Sequence, residues 1–404
     1  MPAAYLIFAA TYLVLAIGRV PGLRVDRAGA AIIGAALMIA AGVLTPAEAW
    51  GAIDYGTIML LFGMMIVVAN LRFSGFFTAL SAWVVERAHH PLLLLAGIVL
   101  VAGVSSAFFV NDTMCLVLTP LVLEITRAGK PECRHNPAPY LLAVAMAANV
   151  GSVATITGNP QNMLIGSFSG IPYRAFAAAL SPIAAVGLAL TVAVIALVYR
   201  DEFRGGRRFE VPRRRVRVHR GLLWKSGAAA GGMLACFFAG VPVAETAFVA
   251  GALLLITRRV KPARIYAEID WGLLMMFIGL FVVVGGIEKT SLPGAMFRLA
   301  GRYGLDRTAP MAIFAALLSN LVSNVPAVLV FKSMVPRLPD PAHAWLTLAM
   351  SSTLAGNLTV LGSVANLIVI ERARHDVRIG FWEYAKTGVP LAIATLAVGV
   401  WMLG

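Results

Sequence analysis

Apolar residues run along the chain in long blocks separated by short polar and basic stretches, as in "TIMLLFGMMIVVANL" and "LAIATLAVGVWMLG". About 20 apolar residues of helix cross a hydrocarbon core. The blocks therefore predict crossings near residues 3–18, 27–44, 55–71, 138–167 and 176–199, then 222–240, 243–257, 270–288, 343–370 and 387–403. Two further apolar segments, about 91–125 and 309–336, carry polar residues and a Pro near the middle or end. They predict hairpins of two helices that enter and leave on one side. The expected fold class is an all-α polytopic membrane protein with about 10 transmembrane helices and two re-entrant hairpins.

Two of the crossings contain the poorest helix formers. "NVGSVATITGNPQN" (Asn149 to Asn162) and "AGNLTVLGSVAN" (Ala355 to Asn366) place Gly, Pro and polar residues inside apolar runs. Unsatisfied backbone in lipid costs several kcal/mol per group, so unwound chain is tolerated only where protein or a watery cavity covers it. Pro160 lacks an N–H, and Gly151, Gly158, Gly356 and Gly362 permit strained backbone. Both segments are expected to unwind at the centre of the protein.

The halves of the chain resemble each other. "IDYGTIMLLFGMMIVV" at Ile53 matches "IDWGLLMMFIGLFVVV" at Ile269, and "SAFFVN" (Ser106 to Asn111) matches "SNLVSN" (Ser319 to Asn324). "TITGNPQN" (Thr155 to Asn162) matches "TVLGSVAN" (Thr359 to Asn366). The matches keep their order, and five crossings per half is odd, so the second copy must run inverted through the membrane. Inverted repeats with broken helices are the architecture of many secondary transporters. The expected organisation is repeat 1 over residues 1–199, a basic linker over 200–221, and repeat 2 over 222–404.

Composition agrees with this reading. Of 404 residues, 60% are hydrophobic and 13% charged, whereas about a quarter of a soluble domain is charged. The formal charge of +14 does not point to nucleic acid, because the basic residues gather between apolar runs. With the first hairpin opening inward and the second outward, 26 Lys and Arg fall inside and 6 outside. That bias follows the positive-inside rule and puts both termini outside an inner (plasma) membrane. The strongest cluster, "RDEFRGGRRFEVPRRRVRVHR" from Arg200, is expected against anionic headgroups of the lipid bilayer. The first apolar run lacks a basic leader, so no cleavable signal peptide is expected.

The candidate chemistry lies on the hairpin tips and the breaks. The tips offer Ser106, Asn111, Asp112 and Thr113, and Ser319, Ser323 and Asn324. The breaks offer Asn149, Gly151, Thr155, Gly158, Asn159 and Asn162, and Asn357, Thr359, Gly362 and Asn366. Hydroxyl, amide and unwound carbonyl oxygens suit hard cations, and free N–H groups suit oxyanions. A Na⁺ is expected at Ser106, Asn111, Gly151, Asn324 and Thr359. Small polar residues also knit transmembrane helices together, which is the competing role for each. An intramembrane acid is costly and functional by default, so Asp112 is a candidate to bind a coupling cation, carry a proton or pair with Lys332. Lys332 is a candidate counter-charge for an anion, or else it snorkels to the surface. Glu124, Glu245 and Glu288 fall near span ends and read as interfacial.

Nothing points to an enzyme or to a bound cofactor. There is no His-Glu-x-x-His motif and no Walker A loop. His89, His90, His135, His219 and His375 sit in expected loops and His343 at a span end, without ligand spacing. Cys115, Cys133 and Cys236 are scattered.

"VNDTMCLVLTP", "GSVATITGNPQN", "LVSNVP" and "TVLGSVAN" resemble segments of the ion transporter superfamily, over nearly the whole chain. It includes the divalent anion/sodium symporters, the arsenite permeases, and related silicon-efflux and sodium/proton antiporter families. The symporters carry a Ser-Asn-Thr tip in both hairpins, and this chain has Val110-Asn111-Asp112 and Ser323-Asn324-Val325 at the matching places. The "ND" followed by "LTP" is more similar to the arsenite permeases. The resemblance implies Asn111 and Asn324 as ligands, and an elevator mechanism in which hairpins and broken helices slide against a scaffold made from the remaining spans. It also implies a homodimer. The expected function is secondary transport of a small inorganic oxyanion or weak oxyacid (arsenite, silicate, phosphate or sulfate), coupled to H⁺ or Na⁺. A Na⁺-coupled di- or tricarboxylate symporter and a Na⁺/H⁺ antiporter are the alternatives, and a channel is the rival of another class.

Overall fold

Short polar residues start and stop the apolar helices. The computed structural model describes residues 2–18, 22, 24–87, 90–127, 136–204, 218–257 and 259–404. Most of the basic linker, with His89, Cys133 and His135, lies outside the described residues. The chain begins with α1 (Pro2–Ile17), α2 (Arg27–Ala40), α3 (Pro46–Gly51), α4 (Tyr55–Ser74) and α5 (Phe76–Arg87). Asp26 accepts the Gly29 N–H at 2.8 Å to open α2, and Asp54 accepts the Thr57 N–H at 2.6 Å to open α4. Thr45 and Glu48 close a capping box on α3. Next, α6 (Pro91–Phe108) and α7 (Asn111–Arg127) pack as a hairpin. A broken helix follows, α8 (Pro137–Ser152) and α9 (Pro160–Ser169), with a 3-10 turn at Ile156–Gly158 between them, and then α10 (Tyr173–Val198).

After α11 (Arg200–Arg204), the order of long helices repeats. It runs α12 (Arg220–Phe238), α13 (Val243–Leu255), α14 (Pro262–Tyr266), α15 (Trp271–Glu288) and α16 (Leu292–Tyr303). The second hairpin is α17 (Thr308–Val322) and α18 (Asn324–Phe331). The second broken helix is α19 (Pro341–Leu354) and α20 (Val364–Ala373), separated by turns at Ala355–Asn357 and Val360–Gly362, and α21 (Phe381–Leu403) ends the chain.

The described residues hold no strand, and the protein is an all-α polytopic membrane protein. Five helices, α4, α6, α10, α15 and α21, are each long and apolar enough to cross a membrane. Several expected crossings are shorter. Helix α2 stops at Ala40 rather than residue 44, and its 14 residues rise only about 21 Å. The segments read from sequence as loops, 72–90 and 289–308, instead contain α5 and α16, 12 residues each. Neither is long enough to cross.

The long helices sort into two bodies. In one, α2 packs on α15 and α4 on α13, with α1 and α12 alongside. Small residues let these backbones touch. A Cβ on Gly63 would lie 2.4 Å from the Ala247 carbonyl oxygen, and one on Gly279 would lie 2.5 Å from the Ala31 carbonyl carbon. The second body joins α6 to α8, α7 to α20, α17 to α19, and α10 to α21. Helices α10 and α21 therefore depart from the expected scaffold. Gly187 of α10 lies against Val150 of α8 and Thr395 of α21.

Charged pairs mark two faces. Arg72 pairs with Glu268 on the basic face, and Lys289 pairs with Glu48 at 2.6 Å on the opposite one. The bodies are pinned together away from the basic face. There Asp54 accepts the Ser167 hydroxyl at 2.8 Å, and Lys332 meets Glu288 at 3.4 Å.

Candidate functional site

Both breaks are closed by the same device. At the first, the Asn162 side-chain amide donates to the carbonyls of Ser152 (3.1 Å) and Thr155 (3.0 Å). At the second, that of Asn366 donates to the carbonyls of Gly356 (2.7 Å) and Thr359 (3.1 Å). The unwound carbonyls are thus satisfied from within the protein, as lipid depth demands. Asn159 opens α9 by accepting the Asn162 N–H at 2.9 Å, and its amide reaches Ser152 Oγ at 2.9 Å and Thr353 Oγ1 at 3.2 Å. Ser363 opens α20 and donates to Asn149 Oδ1 at 2.8 Å.

Asn149 joins the breaks and the first hairpin. Its oxygen also accepts from Asn111 at 3.2 Å, and its amide donates to Asn357 Oδ1 (2.9 Å) and Asn366 Oδ1 (3.0 Å). All four Asn residues are buried. The Thr155 hydroxyl donates to the Ala107 carbonyl at the end of α6. The Thr359 hydroxyl donates to Asn320 at 3.1 Å.

The second tip is tightly bonded. Ser319 Oγ lies 2.5 Å from the Asn324 amide and donates to the Ser352 carbonyl at 3.1 Å. In the amide orientation that satisfies every neighbour, the Asn324 nitrogen also faces the Ser352 and Gly362 carbonyls, each at 3.2 Å. Its oxygen then accepts from Gln161 at 3.2 Å. Between α17 and α18, Ser323 holds φ 76° and ψ 159°. It is the one described residue other than Gly with positive φ. This region of the map is essentially restricted to Gly and costs about 1–3 kcal/mol.

Between the tips, the breaks and the first body lies a cavity of about 660 Å³, a volume ordinary for a small-molecule site. The tips and breaks contribute Asn111, Asp112, Gln161, Ser323, Asn324 and Ser363. The first body contributes Asp26, Arg27 and Asp270. Asp112 and Arg27 are half-buried, and neither has a hydrogen bond or ion pair among the described residues. Asp270 of the first body and Asp112 of the first tip both face this space.

Several expected site residues do other work. Lys332 does not line the cavity and does not pair with Asp112. It sits against Glu288, with its ammonium 5.4 Å from the Phe168 ring centroid, because it caps the far end of α18 from the tip, beside the last residue of α15. Gly151 is a contact point, since a Cβ there would lie 2.1 Å from the Gly103 carbonyl oxygen, and its own carbonyl accepts the Ala154 N–H at 3.1 Å. Gly158 likewise rests on the Ser152 backbone, and Gly362 on Asn320 and Gly356. The five residues expected to offer oxygens to Na⁺ divide between two places, with Ser106, Asn111 and Gly151 around the first hairpin and Asn324 and Thr359 around the second. Thr113 is half-buried beside the first tip and is not part of the cavity lining.

Sequence reasoning missed Gln161, Ser363, Asn320, Thr353, Asp26, Arg27 and Asp270. Gln161 and Ser363 stood inside the quoted motifs, so position gave a signal for those two. The three charged residues stand at the ends of expected spans, and a span end gives no sign that a cavity reaches it.

Paired hairpins and paired broken helices around a polar cavity define a membrane transporter. The family model for citrate transporters, CitMHS, matches residues 12–355, and the chain belongs to that family. The chain is 31% identical to the silicon efflux transporter LSI3 of Oryza sativa subsp. japonica, covering 95% of this chain and 94% of that protein. It is 28% identical to the 46 kDa membrane protein of Mycobacterium leprae, over 98% and 96% of the two chains. It is 26% identical to the putative transporter arsB of Dictyostelium discoideum, over 94% and 87%.

Two solved structures share the fold. The YdaH transporter of Alcanivorax borkumensis has a TM-score of 0.59 at 15% identity, over 100% and 98% of the chains. MtrF of Neisseria gonorrhoeae has a TM-score of 0.61 at 12% identity, over 99% and 93%.

Proposed function

We propose that this chain is a secondary active transporter of a small inorganic oxyanion or weak oxyacid, coupled to Na⁺ or H⁺. The observation that carries the reading is the cavity, bounded by both hairpin tips and both breaks. Its charge argues for a weakly charged cargo. Among the described residues, Asp26, Asp112 and Asp270 face it against the guanidinium of Arg27, a balance that repels citrate or a dicarboxylate. Hydroxyl-rich oxyacids suit it, because their O–H groups donate to carboxylates and amide oxygens. The silicon-efflux and arsB-like relatives agree with that class.

The two halves form an inverted repeat, and the hairpin body slides against the body built on α2, α4, α13 and α15. The cavity borders the end of α1 and the starts of α2 and α15, which the positive-inside bias assigns to the cytoplasmic side. Two coupling routes have support. Unpartnered oxygens at the first tip favour Na⁺, and the free carboxyl group of Asp112 favours H⁺.

The test is flux in proteoliposomes under imposed pH or sodium gradients, with arsenite, silicate, phosphate, sulfate, succinate and citrate. Coupled movement of an oxyanion or oxyacid, lost in Asp112→Asn, is expected. Cation exchange with no panel member moving would leave a Na⁺/H⁺ antiporter. Citrate as the one cargo moved would overturn the charge argument.

A further inference from the structure

Matching residues in the two halves use the same oxygens differently. In the first half, Ser106 Oγ, Asn111 Oδ1 and Asn162 Oδ1 are buried without a hydrogen-bond partner. All three residues are at most 4% exposed. In the second half the corresponding oxygens are all engaged. Ser319 Oγ bonds Asn324 and the Ser352 carbonyl, Asn324 Oδ1 accepts from Gln161, and Asn366 Oδ1 accepts from Asn149.

The sequence accounts for the asymmetry. The donors that fill the second clamp, Gln161 and Asn149, belong to the first half. By the register of the two "T…G…N" motifs, their mates are Ala365 and Thr353. Ala365 has no donor to send back, and Thr353 Oγ1 is already met by Asn159 and Gln161, each at 3.2 Å. Charge differs in the same sense, since Asp112 follows Asn111 on the first tip where Val325 follows Asn324 on the second.

Buried acceptors without donors are costly, and hard cations take oxygen ligands. The Asn111–Asn149 and Thr155–Ala107 bonds hold the first tip against the first break. We infer that the first clamp takes one Na⁺-class cation and that the second takes none, its place being held by the amide N–H groups of Gln161 and Asn149. One cation then crosses per cycle. This rests on the cation coupling proposed above.

The measurement is equilibrium binding of radioactive Na⁺ to the purified full-length chain in detergent. Saturation at one ion per chain is expected, with affinity falling at least about tenfold in Ser106→Ala and retained in Ser106→Thr, which keeps the oxygen. Thermal melting checks that both variants fold. Two ions per chain would overturn the inference and leave the transport reading intact. So would a single ion weakened by Ser319→Ala and indifferent to Ser106→Ala. No binding by the unaltered chain would overturn the Na⁺ route itself.

Discussion

Asn162 and Asn366 carry out the same task at opposite breaks: each spreads its side-chain amide over the carbonyls ten and seven residues upstream. Their equivalence ends at the oxygen, which accepts from Asn149 in Asn366 and has no partner in Asn162. Truncation should therefore hurt unequally. Asn366→Ala removes a donor from two buried carbonyls and also strands one N–H of the Asn149 amide, whereas Asn162→Ala strands only carbonyls. A buried polar group left unsatisfied costs about 1–3 kcal/mol, so both variants lose stability and Asn366→Ala loses more. Thermal unfolding in one detergent gives the order, and equal losses would contradict the bonding described.

The Gly279 crossing sets a second expectation. An added methyl would meet Ala31 backbone at 2.5 Å, and backbone cannot rotate aside as a side chain can. Overpacking of this kind costs about 1–3 kcal/mol or more. Gly279→Ala should lower the melting temperature, whereas Gly231→Ala, which has nothing within 4 Å, should not. A neutral Gly279→Ala would mean that α2 and α15 part easily.

Strain at Ser323 predicts a trade. With φ 76° and ψ 159° it occupies backbone that Gly adopts freely. Ser323→Gly should stabilise the chain by up to about 1–3 kcal/mol and slow cargo transport, because the tip then has no hydroxyl to present to the cavity. Ser323→Ala separates the two effects by keeping the strain and removing the oxygen. If Ser323→Gly neither stabilises nor slows, the tip geometry does no work.

How far the sequence reached follows from distance along the chain. The breaks were legible because Gly and Pro interrupt an apolar run locally, and Pro160 indeed opens α9. The repeat was legible because whole motifs recur in order. The partners were not, since Asn149 finds Asn357, Ser363 and Asn366 more than 200 residues away. Helices α5 and α16 were hidden for another reason. Helix α16 mixes charge with apolar residues, Arg298 and Arg302 beside Phe297 and Leu299, and α5 has only 12 residues with Glu86 and Arg87 at its end, so a hydropathy count reads neither as a span. Residues such as Asn162 were picked out as ligands, and their amide nitrogens bond the unwound backbone.

Glu48 gives a pH test outside the membrane spans. Hydrogen bonding to Lys289, at 2.6 Å, and to the Thr45 backbone N–H, at 2.9 Å, pushes its carboxyl group down from 4.5 to about 2. A depressed carboxyl group contributes stability above its unfolded value and loses it as pH falls through its folded one. The contribution is therefore full near pH 7 and fades between about pH 4.5 and 2. Glu48→Gln keeps an oxygen for the Thr45 N–H and removes the charge that Lys289 meets. Its melting temperature should sit slightly below that of the unaltered chain at pH 7, as suits an exposed pair, and the gap should close toward pH 3. A gap that stays constant down to pH 3 would assign the effect to packing around α3 rather than to the ion pair.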